Sequence, residues 1–328
     1  MEKLSYGEIV ARGREVIEKK GLTSKYIGRG AETRYGGLTN ESFSKLWGLR
    51  FRVLDPQPVS TETELFGRPL KTPIWTATLS DMTDLISDPL TKIAQGTVKA
   101  GSAIWLGICS REQIKKCCDT GAAVVKIIKP FRDLDQVYQK LRAAEEAGCV
   151  AVGMDVDFFY GGKLDDELIR EEVFGPKSAE ELQDLIASTS LPFILKGILS
   201  AHDARRALEL GARGIAVSNH GGAVIDHSAH PLEVLPEIKD AVSGKLAIFT
   251  DSGYRRGNDA FKALALGAQG VGFGLLTILG MLATGSAEGV AAILEILTEE
   301  LRRVMAVTGC SDIGSITPEV LIRRGALF

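Results

Sequence analysis

Charge of one dominant sign is missing from this chain. Lys and Arg number 39 against 42 Asp and Glu, a formal net charge of −3. That balance gives no electrostatic reason to expect a nucleic acid partner. Cysteine is scarce. Cys109, Cys117, Cys118, Cys149 and Cys310 show neither zinc-ligand spacing nor a disulfide framework, so they read as reduced thiols of a cytoplasmic protein, and no metal site is expected. Long apolar runs are also lacking. The stretch 275–283 is too short to cross a bilayer, and residues 1–20 are charged and lack the apolar core of a signal peptide. What remains is ordinary globular composition, 45% hydrophobic and 25% charged, with ample material for a core.

The chain has a rhythm. Short apolar runs, rich in β-formers, fall at 73–79, 102–107, 123–128, 151–157, 192–197, 214–219, 247–251 and 270–274. Runs that are apolar through most of their length suit parallel strands covered on both faces. Amphipathic helical patterns fill the gaps at 89–100, 111–120, 134–147, 179–188, 201–210, 232–242 and 258–266, with a long final stretch over 287–307. Gly101, Gly121, Gly148, Gly211 and Gly267 follow these patterns in step. Glycine adopts the left-handed conformation at a helix end cheaply, so these are helix stops. Roughly eight strand–helix units in series predict an α/β fold, the TIM (β/α)8 barrel. An open doubly wound sheet is disfavoured, because no glycine-rich dinucleotide turn follows the first strand. Residues 1–72 do not fit the repeat. The pattern predicts a helix over 4–20 and a second over 43–54 that runs into an extended piece. We read 1–72 as an N-terminal helical cap on a barrel spanning 73–328, within one structural domain. A polar insertion at 161–176 would lie at the mouth as a lid.

In such a barrel the C-terminal ends of the strands converge on one site. The most informative end is Ser218-Asn219-His220-Gly221-Gly222, where an apolar run stops on polar residues and paired glycines. A titratable imidazole there is placed as a catalytic base. Other ends carry Ala77-Thr78, Lys126 followed by Lys129, Asp155-Val156-Asp157, Lys196-Gly197, Asp251-Ser252-Gly253 and Gly272-Phe273-Gly274. Charged groups at strand ends cost desolvation unless they are paired or used. Strand alternation gives Asp155 and Asp157 the same facing. Glycines after the seventh and eighth strands let backbone N–H groups approach an anion, the usual phosphate site of this fold, with Arg255 or Arg256 supplying charge.

These residues resemble the FMN-dependent α-hydroxy acid oxidase and dehydrogenase family, from about Tyr26 to Gly309. The similarity is strongest in 191–197, 211–222 and 300–309 and in the run Asp251-Ser252-Gly253-Tyr254-Arg255-Arg256-Gly257 that continues through Ala268. The resemblance implies FMN as cofactor and an oxidoreductase that removes hydride from a hydroxy-acid-like, or related hydroxyl or amine, small-molecule substrate. It also implies a homo-oligomer, a tetramer. His220 then corresponds to the base, Asp157 to the carboxylate that stabilises its imidazolium, Lys196 to the cation beside flavin N1, and Tyr26 to a tyrosine that holds the substrate carboxylate. Ala77, Thr78, Lys126, Asp155, Ser218, Gly221, Asp251, Ser252, Gly253, Arg255, Gly272 and Gly274, with Lys196 and His220, fall at cofactor-contacting positions.

The departures bear on substrate. An arginine expected three residues after the histidine is Ala223, and a second, after the fourth-strand aspartate, is matched to Tyr160. The third-strand tyrosine is matched to Ile128, the flavin-binding glutamine to Lys126, the fourth-strand threonine to Asp155, and a phosphate-neutralising arginine to Leu275. A hydrogen bond to a charged group contributes about 1.5–3 kcal/mol, so losing two arginines predicts no useful affinity for glycolate or lactate unless they are replaced. Lys129, Lys163, His227 and His230 are the candidate replacements, and Phe158-Phe159-Tyr160 suggests an aromatic pocket. The competing expectation is an FMN-requiring isomerase, or a phosphate-ligand barrel without hydride chemistry.

Overall fold

The computed structural model describes all residues except 1–3, 29, 55, 165–166, 170–172 and 325–328, and the side chains of 162–164 and 167–169 also lie outside the description. The apolar runs form a parallel barrel. Its first strand, β1, is interrupted: Ile74–Thr76 and Thr78–Leu79 are separated at Ala77. The others are β2 (Ala103–Leu106), β3 (Ala123–Ile128), β4 (Ala151–Asp155), β5 (Phe193–Ile198), β6 (Gly214–Val217), β7 (Ala247–Thr250) and β8 (Gly270–Phe273). One half of β1 pairs with β8 and the other with β2, so the sheet closes on itself.

Alternation sorts the side chains into two layers. Trp75, Trp105, Val125, Ile127, Ile194, Ala216 and Phe249 fill the barrel interior. Val124, Ile128, Val152, Met154, Leu195, Ile215, Val217, Ile248 and Phe273 face the surrounding helices. The interior plug is Trp75, Trp105 and Phe249, with ring centroids 5.4–6.3 Å apart. Small residues make room for it. A Cβ on Gly270 would lie 1.7 Å from the Trp75 ring, which is why glycine opens β8.

The eight barrel helices follow the expected pattern, and the stop glycines take positive φ, from 65° at Gly101 to 119° at Gly267. Ser110 and Ser178 start their helices with capping boxes closed by Gln113 and Glu181. Two expectations change. The apolar stretch after β8 is itself a helix, Leu275–Thr284, in addition to the final helix Ala287–Thr308. It is apolar all round because it is sandwiched between that helix and the N-terminal helix Tyr6–Lys19, whose Gly13 packs directly on the Leu279 backbone. The second cap helix is Tyr35–Phe43, upstream of the predicted span. After a short 3-10 turn, Trp47–Leu49 is a strand paired with Leu321–Arg323. β-rich Trp47-Gly48-Leu49 finds a partner strand, and pairing wins over helix. The insertion carries a hairpin, Gly162–Leu164 with Glu167–Ile169. The lid expectation, and Lys163 as an anion partner, rest on side chains outside the described residues. All five cysteines are free. Among the described residues no helix is long and apolar enough to cross a membrane.

Candidate active site

The interior layer ends, at the C-terminal mouth, in charge. β3, β4 and β5 are in register there. Ile128 lies beside Met154, which brings Lys129 level with Asp155, and Lys196 lies directly across from Asp155 on the other side. Asp155 is fully buried between two ammonium groups, Lys129 Nζ at 2.9 Å and Lys196 Nζ at 2.9 Å. At these distances each ammonium makes a charge-assisted contact with the carboxylate. Burial works against the Asp155 charge, but Lys129 and Lys196 outweigh it and hold the carboxyl far below its ordinary range. Burial likewise opposes the Lys196 charge. Asp155, Asp251 and Asp157 prevail and keep that ammonium protonated above its ordinary value. Lys129 goes the other way: burial and the neighbouring Lys196 lower it despite Asp155.

His220 completes the cluster. Its Nδ1 is 2.9 Å from Asp157 Oδ2. A carboxylate only accepts, so Nδ1 carries the hydrogen and Nε2 carries the lone pair. Lys196 Nζ, 3.4 Å from the same Nδ1, therefore acts on the ring by charge. Lys129 Nζ lies 3.1 Å from Nε2. Burial, then Lys129 and Lys196, lower the imidazole below its ordinary value, with Asp157 and Asp155 opposing. The ring packs on Phe158, 4.8 Å between centroids. His220 holds φ at +56°, in the left-handed region. A non-glycine residue there costs on the order of 1–3 kcal/mol and persists where the surroundings over-determine it. Here they do. Gly221 and Gly222 continue the turn with positive φ, and a Cβ on Gly222 would collide with the backbone of Gly36 in helix Tyr35–Phe43. Asn40 of that helix exchanges amide hydrogen bonds of 3.0 and 2.8 Å with Asn219.

The seventh and eighth strand ends form the rest of the mouth. Ser218 Oγ and Ser252 Oγ both donate to Asp251 Oδ1. Ser252 Oγ in turn accepts from the backbone N–H groups of Asn219 and Gly221. Gly253, at φ +79°, fits against Asn40, where a Cβ would come within 2.6 Å. Gly272 approaches Ala77 and Asp251, and a Cβ on Gly274 would meet only Ala77, at 3.5 Å. Helix Leu275–Thr284 starts at Gly274 with no side-chain cap on its first N–H groups.

Not every expected residue joins the cluster. Lys126 shares the outward phase of Val124 and Ile128. Its Nζ donates to the Gly107 carbonyl and lies 3.6 Å from Cys109 Sγ, on the helix side of the sheet. The interior phase belongs to Ile127 and then Lys129, so the site-facing position on β3 is Lys129 and not Lys126 or Ile128. Tyr26 donates to Asp84 Oδ1 at 2.8 Å, on the loop after β1. Arg255 pairs with Glu41 at 2.6 Å, and Arg256 with Glu300, over the Tyr6 ring. His230 cannot serve an anion as expected: it is buried, accepts from Leu232 N–H as a helix cap, stacks on Phe43, and is depressed to about 3 by burial. His227 packs at a tilt against Tyr35, 4.5 Å between ring centroids. Tyr160 is 60% exposed, whereas Ala223 is buried. The Asn40–Asn219 pair has no local signal in the sequence, because 179 residues separate its members. Oxygen and nitrogen atoms of Asp155, Asp157 and His220 lie within 4.8 Å of one another. Two ammonium groups already sit on the Asp155 oxygens, so a cation there would have to displace them. A cleft of about 460 Å³ lined by Arg68, Lys71 and Ser102 lies at the opposite end of the barrel, away from this chemistry.

The arrangement suits a flavin nucleotide. Thr78 Oγ1 is buried at the β1 interruption with no hydrogen-bond partner. Lys196 offers a permanent cation, and Gly253, Gly274 and the uncapped helix start offer bare backbone N–H groups.

Comparison with known proteins agrees. The model of the FMN-dependent dehydrogenase family matches residues 18–179 and 165–323. Glycolate oxidase 3 of Arabidopsis thaliana is 30% identical over 89% of this chain and 89% of its own. 4-Hydroxymandelate oxidase of Amycolatopsis orientalis is 28% identical over 96% of this chain and 97% of its own. A crystal structure of mandelate oxidase with 3,3-difluoro-2-hydroxy-3-phenylpropionic acid superposes with a TM-score of 0.88 at 30% identity, covering 97% of this chain and 98% of that one. The chain belongs to the FMN-dependent dehydrogenase family and is an FMN-dependent oxidoreductase built on a TIM barrel.

Proposed function

We propose that the protein oxidises a 2-hydroxy acid at the mouth of its barrel, with His220 as the base. The observation that carries this reading is the His220–Asp157 pair at 2.9 Å, which leaves Nε2 as the proton acceptor. When bound, FMN accepts the hydride equivalent from the substrate C–H. The chain's own residues handle the rest. His220 Nε2 takes the hydroxyl proton, and Asp157 holds the ring and stabilises the imidazolium that results. Lys196, locked by Asp155 and Asp251, places a fixed positive charge where negative charge develops on the reduced cofactor. Thr78, Ser218, Asp251, Gly253, Gly272 and Gly274 line the cofactor's place, and Arg255 stands at its edge. Relatives named for glycolate, 4-hydroxymandelate and 2-hydroxyacid oxidation support hydroxy-acid chemistry over the isomerase alternative.

The test is anaerobic mixing of the purified yellow protein with a panel of short and aromatic 2-hydroxy acids. Bleaching of the flavin band by at least one of them is expected. Protein that takes up no FMN, or a band that none of them bleaches, overturns the reading. We also propose that the protein assembles as a homo-oligomer in the cytoplasm, and gel filtration with light scattering checks the assembly.

A further inference from the structure

A neutral imidazole nitrogen has one lone pair. The lone pair of His220 Nε2 is already engaged by Lys129 Nζ at 3.1 Å. While that contact persists, the base cannot accept a proton. Lys129 is only 7% exposed, and its ammonium is fully occupied: Asp155 Oδ2 at 2.9 Å, His220 Nε2, and the face of Phe158 at 3.6 Å.

We propose that Lys129 is a latch on the catalytic base, released when a substrate anion draws its ammonium off His220 Nε2. This rests on the reading of His220 as the base. It explains how a site with Ala223 and Tyr160 at the expected arginine positions selects a substrate. The substrate needs an anionic group next to the hydroxyl carbon, so that the group taking the ammonium and the proton arriving at Nε2 belong to one molecule. Release is inexpensive on the protein side. Asp155 keeps Lys196 at 2.9 Å when Lys129 turns away, so no buried carboxylate is stranded. The lysine stem sits just past the end of β3, where four side-chain torsions can swing the ammonium while the strand stays fixed. The substrate proton then goes to Nε2, its hydrogen-bond donor gone, and Nδ1–H stays on Asp157. A neutral analogue, such as the amide of the same acid, cannot recruit the ammonium and meets a capped base. Lys129 is thus a specificity-determining residue.

The test uses the FMN-loaded protein and a non-oxidisable probe, benzoylformate or pyruvate, beside the neutral amide of each. The ¹⁵N resonance of His220 Nε2 is followed during titration, and affinity is read by calorimetry. In the wild type the carboxylate should shift the Nε2 resonance to that of an unbonded nitrogen, and the amide should leave it in place. In Lys129→Met the resonance should start at the unbonded position. Carboxylate affinity should fall about 10–100-fold, the size of a lost charge-assisted hydrogen bond, with amide affinity unchanged. An Nε2 resonance that carboxylate leaves unmoved in the wild type, or unchanged carboxylate affinity in Lys129→Met, overturns the latch. The wild-type titration stands even if the variant does not fold. The two readings fail separately. Hydroxy acids that bleach the flavin with an unmoved Nε2 sink the latch alone. A carboxylate that frees Nε2 in a protein whose flavin no hydroxy acid bleaches sinks the oxidase reading alone.

Discussion

Replacing Asp155 by Asn removes one charge and almost no volume from the centre of the site. The carboxylate is buried between two lysines, at 2.9 Å from each. Breaking a buried ion pair by deleting one partner costs about 3–5 kcal/mol, because the other charge is left without compensation. Here two ammonium groups lose their shared partner. An asparagine can offer its oxygen to one of them and turns its own N–H donors toward the other. The protein has one escape, which is to release a proton from Lys129, the lysine that burial and Lys196 already depress. From an ordinary lysine value of about 10.4, release at pH 7 costs about 5 kcal/mol at 1.36 kcal/mol per unit, so that figure caps the loss. We therefore expect Asp155→Asn to lower unfolding free energy by about 3–5 kcal/mol at pH 7. The pH dependence follows from the same escape. In the variant the folded state holds Lys129 neutral while the unfolded chain holds it charged, so the unfolded state binds more protons and stability rises with pH. In the wild type Asp155, 2.9 Å away, opposes that proton loss, so Lys129 contributes a smaller slope there. The deficit should shrink by up to about 1.4 kcal/mol per pH unit between pH 7 and 9. Urea denaturation at the two pH values measures both quantities. A deficit below about 1 kcal/mol at pH 7, or one that does not change by pH 9, refutes the two-lysine pairing.

Other consequences are simpler. His220→Gln should retain FMN and lose about 10²–10⁴-fold in the rate of flavin reduction, read by stopped-flow absorbance, and a smaller loss removes the histidine from proton transfer. His220 is lowered by burial, Lys129 and Lys196. Its neutral, active form therefore persists below the ordinary imidazole value, and the acid limb of kcat/KM should lie below about pH 6.5; a limb above that contradicts the geometry. Gly253→Ala must hold φ at +79° with its methyl against Asn40. It should cost about 1–2 kcal/mol from conformation alone and weaken FMN retention, measured by denaturation and by dialysis. Asn40→Ala breaks the reciprocal amide pair with Asn219. It should cost about 1–3 kcal/mol, and an unchanged midpoint would show that water takes over both partners.

The barrel was legible because its signals are local. Apolar runs followed by amphipathic runs and a glycine report strand, helix and stop over ten or twenty residues, and every stop glycine has the positive φ that the pattern implies. His220, Asp157, Lys196, Ser218 and Asp251 were legible because strand ends converge in this architecture. Phase was harder. Lys126 and Lys129 are three residues apart, so alternation must put them on opposite faces, and the motif match assigned the cofactor contact to the outward one. The interior cluster of Val125 and Ile127 puts Lys129, and not Lys126, on the inward phase. Helix Leu275–Thr284 has no amphipathic signature, because a helix covered on all sides is apolar all round. The Trp47–Leu49 strand depends on a partner more than 270 residues away, which no window of sequence contains.

The buried charges at the ends of β3 and β4 depend on each other. Asp155 on β4 buries a charge that, without Lys129, would be left to Lys196, which also faces Asp251 at 4.0 Å. A lysine on the interior phase of β3 buries a charge beside Lys196 and His220, and on its own it would raise the repulsion on both. Because β3 and β4 pair in register from Val125 with Ala151 to Ile128 with Met154, the two residues meet at one level, and each removes the penalty of the other. Either one without the other would cost stability or suppress the base. Together they leave Asp157 and Nδ1 untouched and alter only what reaches Nε2. A double variant, Lys129→Met with Asp155→Asn, should therefore be more stable than Asp155→Asn alone, measured by urea denaturation.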